Sequence, residues 1–119
     1  MKWFSEIEFR RCVPACHMAD MDAAFLAKMD EVREVAGIPL VLNSAFRTQA
    51  WERAHGRSGT SSHCKGLAVD IRCNTYANRW RIVTAAIFCG IRRIGIGKTY
   101  VHLDIDTSKQ QGVIWDYYA

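Results

Sequence analysis

Proline is scarce in this chain, with Pro14 and Pro39 both in the first third. No apolar run approaches the roughly 18 residues of a membrane span, and no repeat, low-complexity tract or linker divides the sequence. Charge of one sign is also in short supply. Sixteen Lys and Arg against twelve Asp and Glu leave a net +4. That is too little to argue nucleic-acid binding, although it suits contact with an anionic polymer. The opening residues, Met1-Lys2-Trp3-Phe4-Ser5-Glu6-Ile7-Glu8, carry acids early and hold no long apolar stretch, so they do not read as a secretory signal. A complete set of cysteine pairs is missing too. Cys12, Cys16, Cys64, Cys73 and Cys89 make an odd count, which argues against a closed intramolecular disulfide framework. The expectation is synthesis in a reducing cytoplasm, with free thiols.

What is present is an ordinary globular composition. The 119 residues are 50% apolar and 24% charged, which predicts one soluble domain over 1–119 with a single modest core. Phe25, Met29, Val32 and Ala36 fall at helical spacing, so 22–36 reads as a helix, with Asp20 or Asp22 as its cap and Gly37 then Pro39 as its stop. Residues 40–43 read as a short buried strand, 47–55 as a short helix or turn, and 56–62 as a loop. A strand over 67–72 alternates Leu67, Val69 and Ile71 with Ala68, Asp70 and Arg72. A second helix over 78–89 would turn Trp80, Val83, Ala86 and Ile87 inward. Strands over 91–96 and 100–106 flank a Gly97-Lys98 turn, and 113–118 supplies a closing strand. Helices and hairpin-linked strands without regular alternation indicate an α+β fold built on a small, mainly antiparallel sheet flanked by helices.

Two of these strands carry chemistry on a face where a plain sheet would not. His63 precedes one strand and Asp70 lies on it. Tyr100, His102, Asp104 and Asp106 share a face of another. Buried charge is costly unless it is paired or metal-bound, and two histidines with one carboxylate are a frequent zinc set. Gly66 would let the backbone turn between His63 and its strand. The stretch Ser61-Ser62-His63-Cys64-Lys65-Gly66-Leu67-Ala68-Val69-Asp70 fits the pattern S-x-H-x-x-G-x-A-x-D at every fixed position, and Tyr100-Val101-His102-Leu103-Asp104 follows some thirty residues on.

These residues resemble the zinc D-Ala-D-Ala carboxypeptidases and related phage endolysins, which share a fold with the hedgehog signalling domain. The likeness extends to Glu8-Phe9 and Cys12, to Leu42-Asn43-Ser44-Ala45-Phe46-Arg47, and to Gly112-Val113-Ile114-Trp115-Asp116-Tyr117. It implies zinc held by His63, Asp70 and His102, Arg47 against the substrate or the developing oxyanion, and Ser61 as a hydrogen-bonding support, with Tyr100 beside the last ligand. Many members place an acid three residues before the last histidine as general base. Here that position is Thr99, so the base role passes to Asp104, the alternative being that Asp104 orients His102. The implied reaction is zinc-dependent hydrolysis of peptidoglycan stem or cross-link peptides, by a carboxypeptidase or an endopeptidase. The implied setting is a phage or prophage lysis enzyme, released to the cell wall by lysis or by a holin. A monomer is expected, with no nucleic-acid partner and no membrane insertion. A non-catalytic zinc-containing wall-binding domain on the same fold is the alternative.

Other signals are weaker. Gly97-Lys98-Thr99 resembles the end of a phosphate loop, but Arg92 stands where that pattern needs its first glycine. Cys12-x-x-x-Cys16-His17 lacks the second ligand pair of a structural zinc site. A hydrolase using Cys64 as nucleophile is a further, weaker alternative. Arg79, Arg81, Arg92 and Arg93 read as a solvated basic face, or as a docking patch for acidic wall polymers. Asp106 reads as solvated, and Trp51, Trp80 and Trp115 as core or groove wall rather than a base-stacking platform.

Overall fold

The computed structural model describes residues 1–118, so the last residue of the expected domain lies outside the described residues. Among the described residues there are four α-helices: α1 (Glu6–Arg10), α2 (Ala23–Ala36), α3 (Gln49–Ala54) and α4 (Tyr76–Phe88). Five strands, β1 (Leu42–Ser44), β2 (Ala68–Arg72), β3 (Arg93–Ile96), β4 (Tyr100–Asp104) and β5 (Val113–Asp116), form one sheet in the order β1-β2-β4-β3-β5. The α+β expectation holds.

α2 starts where the cap chemistry predicts. The Asp22 side chain accepts from the Phe25 amide, satisfying a donor the helix cannot use, and the helix stops at Gly37. It buries Phe25, Leu26, Met29, Val32 and Ala36. α4 differs from its expected orientation. It starts at Tyr76, capped by the Thr75 side chain, and buries Ile82, Ala85 and Ala86. Trp80 and Ile87, expected inward, lie exposed. The helix is apolar on both sides, so its spacing did not say which side the core would take.

Three of the four strand pairs are antiparallel, and β5 joins β3 in parallel. The sheet is therefore mixed at one edge, because the chain crosses back before β5 rather than turning in a hairpin. One sheet face, with Val69, Ile71, Ile94, Val101 and Leu103, belongs to the apolar core that also takes in α2 and α4. The register lines up one row on the opposite face. Ser44 pairs with Asp70, Asp70 with His102, His102 with Gly95, and Gly95 with Trp115. The next row brings Ala68, Asp104 and Arg93 together. Since strand side chains alternate between faces, the apolar core and the polar row come from the same short segments.

Candidate metal centre

His63 lies on a short 3-10 turn, Ser62–Lys65, just before β2. Ser61 caps this turn by accepting from the His63 amide at 3.2 Å. Gly66 ends it at φ +70°, and a Cβ there would meet the Asp20 carbonyl oxygen at 2.6 Å. Only glycine combines that left-handed backbone with so close an approach. This turn delivers the His63 ring over the Asp70–His102 row.

The ring nitrogens are sorted by their partners. His63 Nδ1 lies 2.7 Å from the Ala45 carbonyl oxygen. A carbonyl accepts and cannot donate, so Nδ1 carries the proton and Nε2 presents a lone pair. Nε2 lies 3.4 Å from Asp70 Oδ1. His102 Nδ1 lies 3.0 Å from the same oxygen. One ligand atom from each of His63, Asp70 and His102 thus falls within 4.8 Å of the other two. Two imidazole nitrogens and a carboxylate oxygen, converging in a shielded pocket, have the chemistry of a zinc site. Among the described residues this is the one such cluster.

Supporting residues hold the ligands from behind. Asp70 Oδ2 accepts from Arg47 Nη2 at 2.9 Å, and Arg47 Nε donates to Ser44 Oγ at 2.9 Å. Burial opposes the charge on Asp70, but the His102 and His63 rings beside it prevail and hold its carboxyl well below the usual range. Asp104 sits on the far side of the His102 ring, with Oδ2 2.6 Å from Nε2. Its other oxygen accepts from Arg93 Nε at 2.7 Å and from the Asp106 amide at 3.0 Å. Burial disfavours a charged His102, yet bonds to Asp104 and Asp70 raise its pKa. Asp104 is lowered in turn: burial opposes its charge, but the bonds from His102 and the Asp106 amide, with the His102 and Arg93 charges, together prevail. Asp104 is thus placed on the ring nitrogen that faces away from Asp70.

Other expectations change here. Asp106 is buried rather than solvated, accepting from Ser62 Oγ at 2.7 Å and Lys65 Nζ at 3.0 Å. Arg93 is buried on Asp104 rather than displayed in a basic patch. Glu52 on α3 is 1% exposed, with Arg47 and Arg57 at 3.6 and 3.4 Å. It was not legible in the sequence, because 47–55 is mostly polar and its few apolar residues, Ala50, Trp51 and Ala54, do not mark the side that Glu52 takes. Thr99 is exposed, as its polar side chain in a turn allows.

The centre opens on a cleft of about 430 Å³ lined by Arg47, Glu52, Arg57, Tyr100, Lys109, Trp115 and Tyr117 among others. Trp115 lies 5.5 Å from the His102 ring, and Tyr100 5.5 Å from Tyr117. Gly95 makes this possible, since a Cβ there would meet the Trp115 ring at 2.9 Å. Trp115 is therefore groove wall, as read from the sequence, whereas Trp80 stands on the surface. All five cysteines are free, with Cys12, Cys16 and Cys73 buried. Burial pushes Cys12 up to about 12 and raises Cys64, so neither thiol is poised as a nucleophile.

None of the curated proteins matches this chain. The sequence pattern of a family described as peptidase M15 matches residues 5–106, which include His63, Asp70, His102 and every strand but β5. That span is most of the chain, and its family implies a zinc metallopeptidase. The convergence of two histidines and an aspartate fits that implication, and the chain belongs to the peptidase M15 family.

Proposed function

We propose that the protein is a zinc peptidase that cleaves peptidoglycan stem or cross-link peptides. The observation that supports this best is the meeting of His63 Nε2, Asp70 Oδ1 and His102 Nδ1 at the wall of an open cleft. These three residues would hold the ion. Zinc, when bound, makes water nucleophilic at neutral pH and polarises the scissile carbonyl. The chain supplies the remainder. Ala45 fixes the tautomer of His63, and Asp104 fixes that of His102. Arg47 anchors Asp70 and still borders the cleft, where its guanidinium can meet a carboxylate or a developing oxyanion. Arg57 and Lys109 add positive charge suited to peptides bearing free carboxylates. Tyr100, Trp115 and Tyr117 make an apolar wall for the substrate backbone. Asp104 acts as a positioning residue in this proposal rather than as general base.

The setting we favour is a phage or prophage lysis enzyme acting as a monomer at the cell wall, released by lysis or with a holin, with neither nucleic acid nor insertion across a membrane in its function. The experiment is mass spectrometry of muropeptides digested with and without a chelator. Loss of one alanine identifies a carboxypeptidase, and release of cross-linked peptides an endopeptidase. Both should vanish on chelation and in His63→Ala. Full activity in a verified metal-free His63→Ala protein would sink the zinc mechanism. A second reading, a non-catalytic wall-binding domain, draws on one observation. The two carboxylates lining the cleft, Glu52 and Asp104, are both engaged by arginines. Unchanged muropeptides in the presence of stoichiometric zinc would favour it.

A further inference from the structure

The outward side of α4 has no partner. Successive helical residues turn by about 100°, so Tyr76, Trp80, Ile87 and Phe88 lie opposite the buried Ile82, Ala85 and Ala86. They are 87%, 71%, 54% and 80% exposed. A helix apolar on both sides is normally enclosed on both. Here the core covers one side, and water meets four large apolar side chains on the other. The stripe does not border the cleft.

The charges around the stripe indicate what covers it. α4 contains Arg79 and Arg81 and no acid. Arg79 donates to the Gly97 carbonyl, which brings Lys98 alongside the helix, and Arg72 pairs in the sheet with Tyr100 nearby. Among the described residues, Arg72, Arg79, Arg81 and Lys98 form no ion pair. The acids near Phe88, at the other end, are already taken. Glu31 pairs with Lys28 and Glu34 with Lys2, and Asp30 accepts from the Lys2 and Trp3 amides. A second copy packed through this same face would therefore bring these cations only acids that already have partners. A soluble polyanion would, but it would leave the aromatic stripe in water. An anionic bilayer surface satisfies both, with the aromatic and aliphatic side chains at the acyl boundary and the cations at the headgroups. At 13 residues, α4 is roughly 20 Å long, too short for a hydrocarbon core of about 30 Å, so it would lie flat.

We propose that the outer face of α4 is a docking surface for anionic lipid bilayers. The proposal stands on the helix and its charges and does not require the peptidase reading. The test is flotation of the full chain with vesicles of phosphatidylcholine alone and of phosphatidylcholine mixed with phosphatidylglycerol, at low and high salt. The wild type should float with the mixed vesicles at low salt and far less with the neutral ones. The exposed-site variant Trp80→Ser/Phe88→Ser should lose roughly tenfold or more in affinity, and so should Arg81→Gln/Lys98→Gln. Circular dichroism should show both variants folded, and their hydrolysis of a soluble stem peptide should match the wild type. Equal flotation of wild type and folded variants would overturn the proposal, as would no flotation with either vesicle. A stripe-dependent dimer, or stripe-dependent retention on a soluble polyanion without vesicle binding, would assign the face to those partners instead. Absence of peptidase activity alongside charge-dependent flotation would defeat the functional reading and leave this one standing.

Discussion

Asp104 touches His102 with one oxygen and Arg93 with the other, and its two possible roles predict different data. As a positioning residue, its replacement in Asp104→Asn removes the charge that fixes the His102 ring. Zinc affinity should then fall about 10- to 100-fold, read by competition with a chromophoric chelator, and activity should recover at saturating zinc. As general base, the same change would leave zinc affinity intact and abolish turnover even when loaded. Asp106 makes a separate, structural prediction. Burial raises its pKa, but bonds from Ser108, Ser62 and Lys65 prevail and set it well below the usual value. A depressed folded pKa means stability present above the unfolded value near 3.9 and lost as pH falls through the folded one. Asp106→Asn should therefore cost about 1–3 kcal/mol at neutral pH. The gap from wild type, measured as urea midpoints, should narrow below about pH 4. The ligand triad was legible because a loop histidine, a strand aspartate and a strand histidine recur at fixed spacing. Arg93 and Glu52 were not, because a charge whose partner lies on another element looks like any solvated charge in sequence.

At the scale of elements, the turn before β2 does the positioning. It must reverse between His63 and the strand while its backbone lies against Asp20 and Met21. Gly66→Ala would place a Cβ in left-handed backbone, at about 1–2 kcal/mol, and drive it into a carbonyl that cannot move freely. The expected loss is 2 kcal/mol or more by that estimate, seen as a lower urea midpoint with unchanged slope. Zinc affinity should fall with it, since His63 rides on the same turn. Capping and punctuation made α2 readable nearly to the residue. α4 was found but oriented wrongly, since Trp80, Val83 and Ile87 repeat at helical spacing just as the buried Ile82, Ala85 and Ala86 do. The parallel pairing of β5 was beyond reach, because strand direction depends on where the chain returns and not on local pattern.

The whole molecule should register its metal as a single cooperative unit. Any ligand that binds the folded state alone stabilises it, by about 2.7 kcal/mol at a hundredfold excess over its dissociation constant. For a chain of this size that corresponds to a rise in Tm on the order of 10 °C. Calorimetry with added zinc should show the rise in the wild type and its absence in His63→Ala; no rise in the wild type would speak against a bound ion. The sheet also divides the molecule into two unlike sides, with the cleft on one face and α4 across the core on the other. Such a body has a heading. Adsorbed by its helical back, it would exchange tumbling in three dimensions for lateral drift in two, with its mouth always turned outward. Its encounters would then depend on how far any polymer strand hangs from the surface, rather than on how much polymer is dissolved around it.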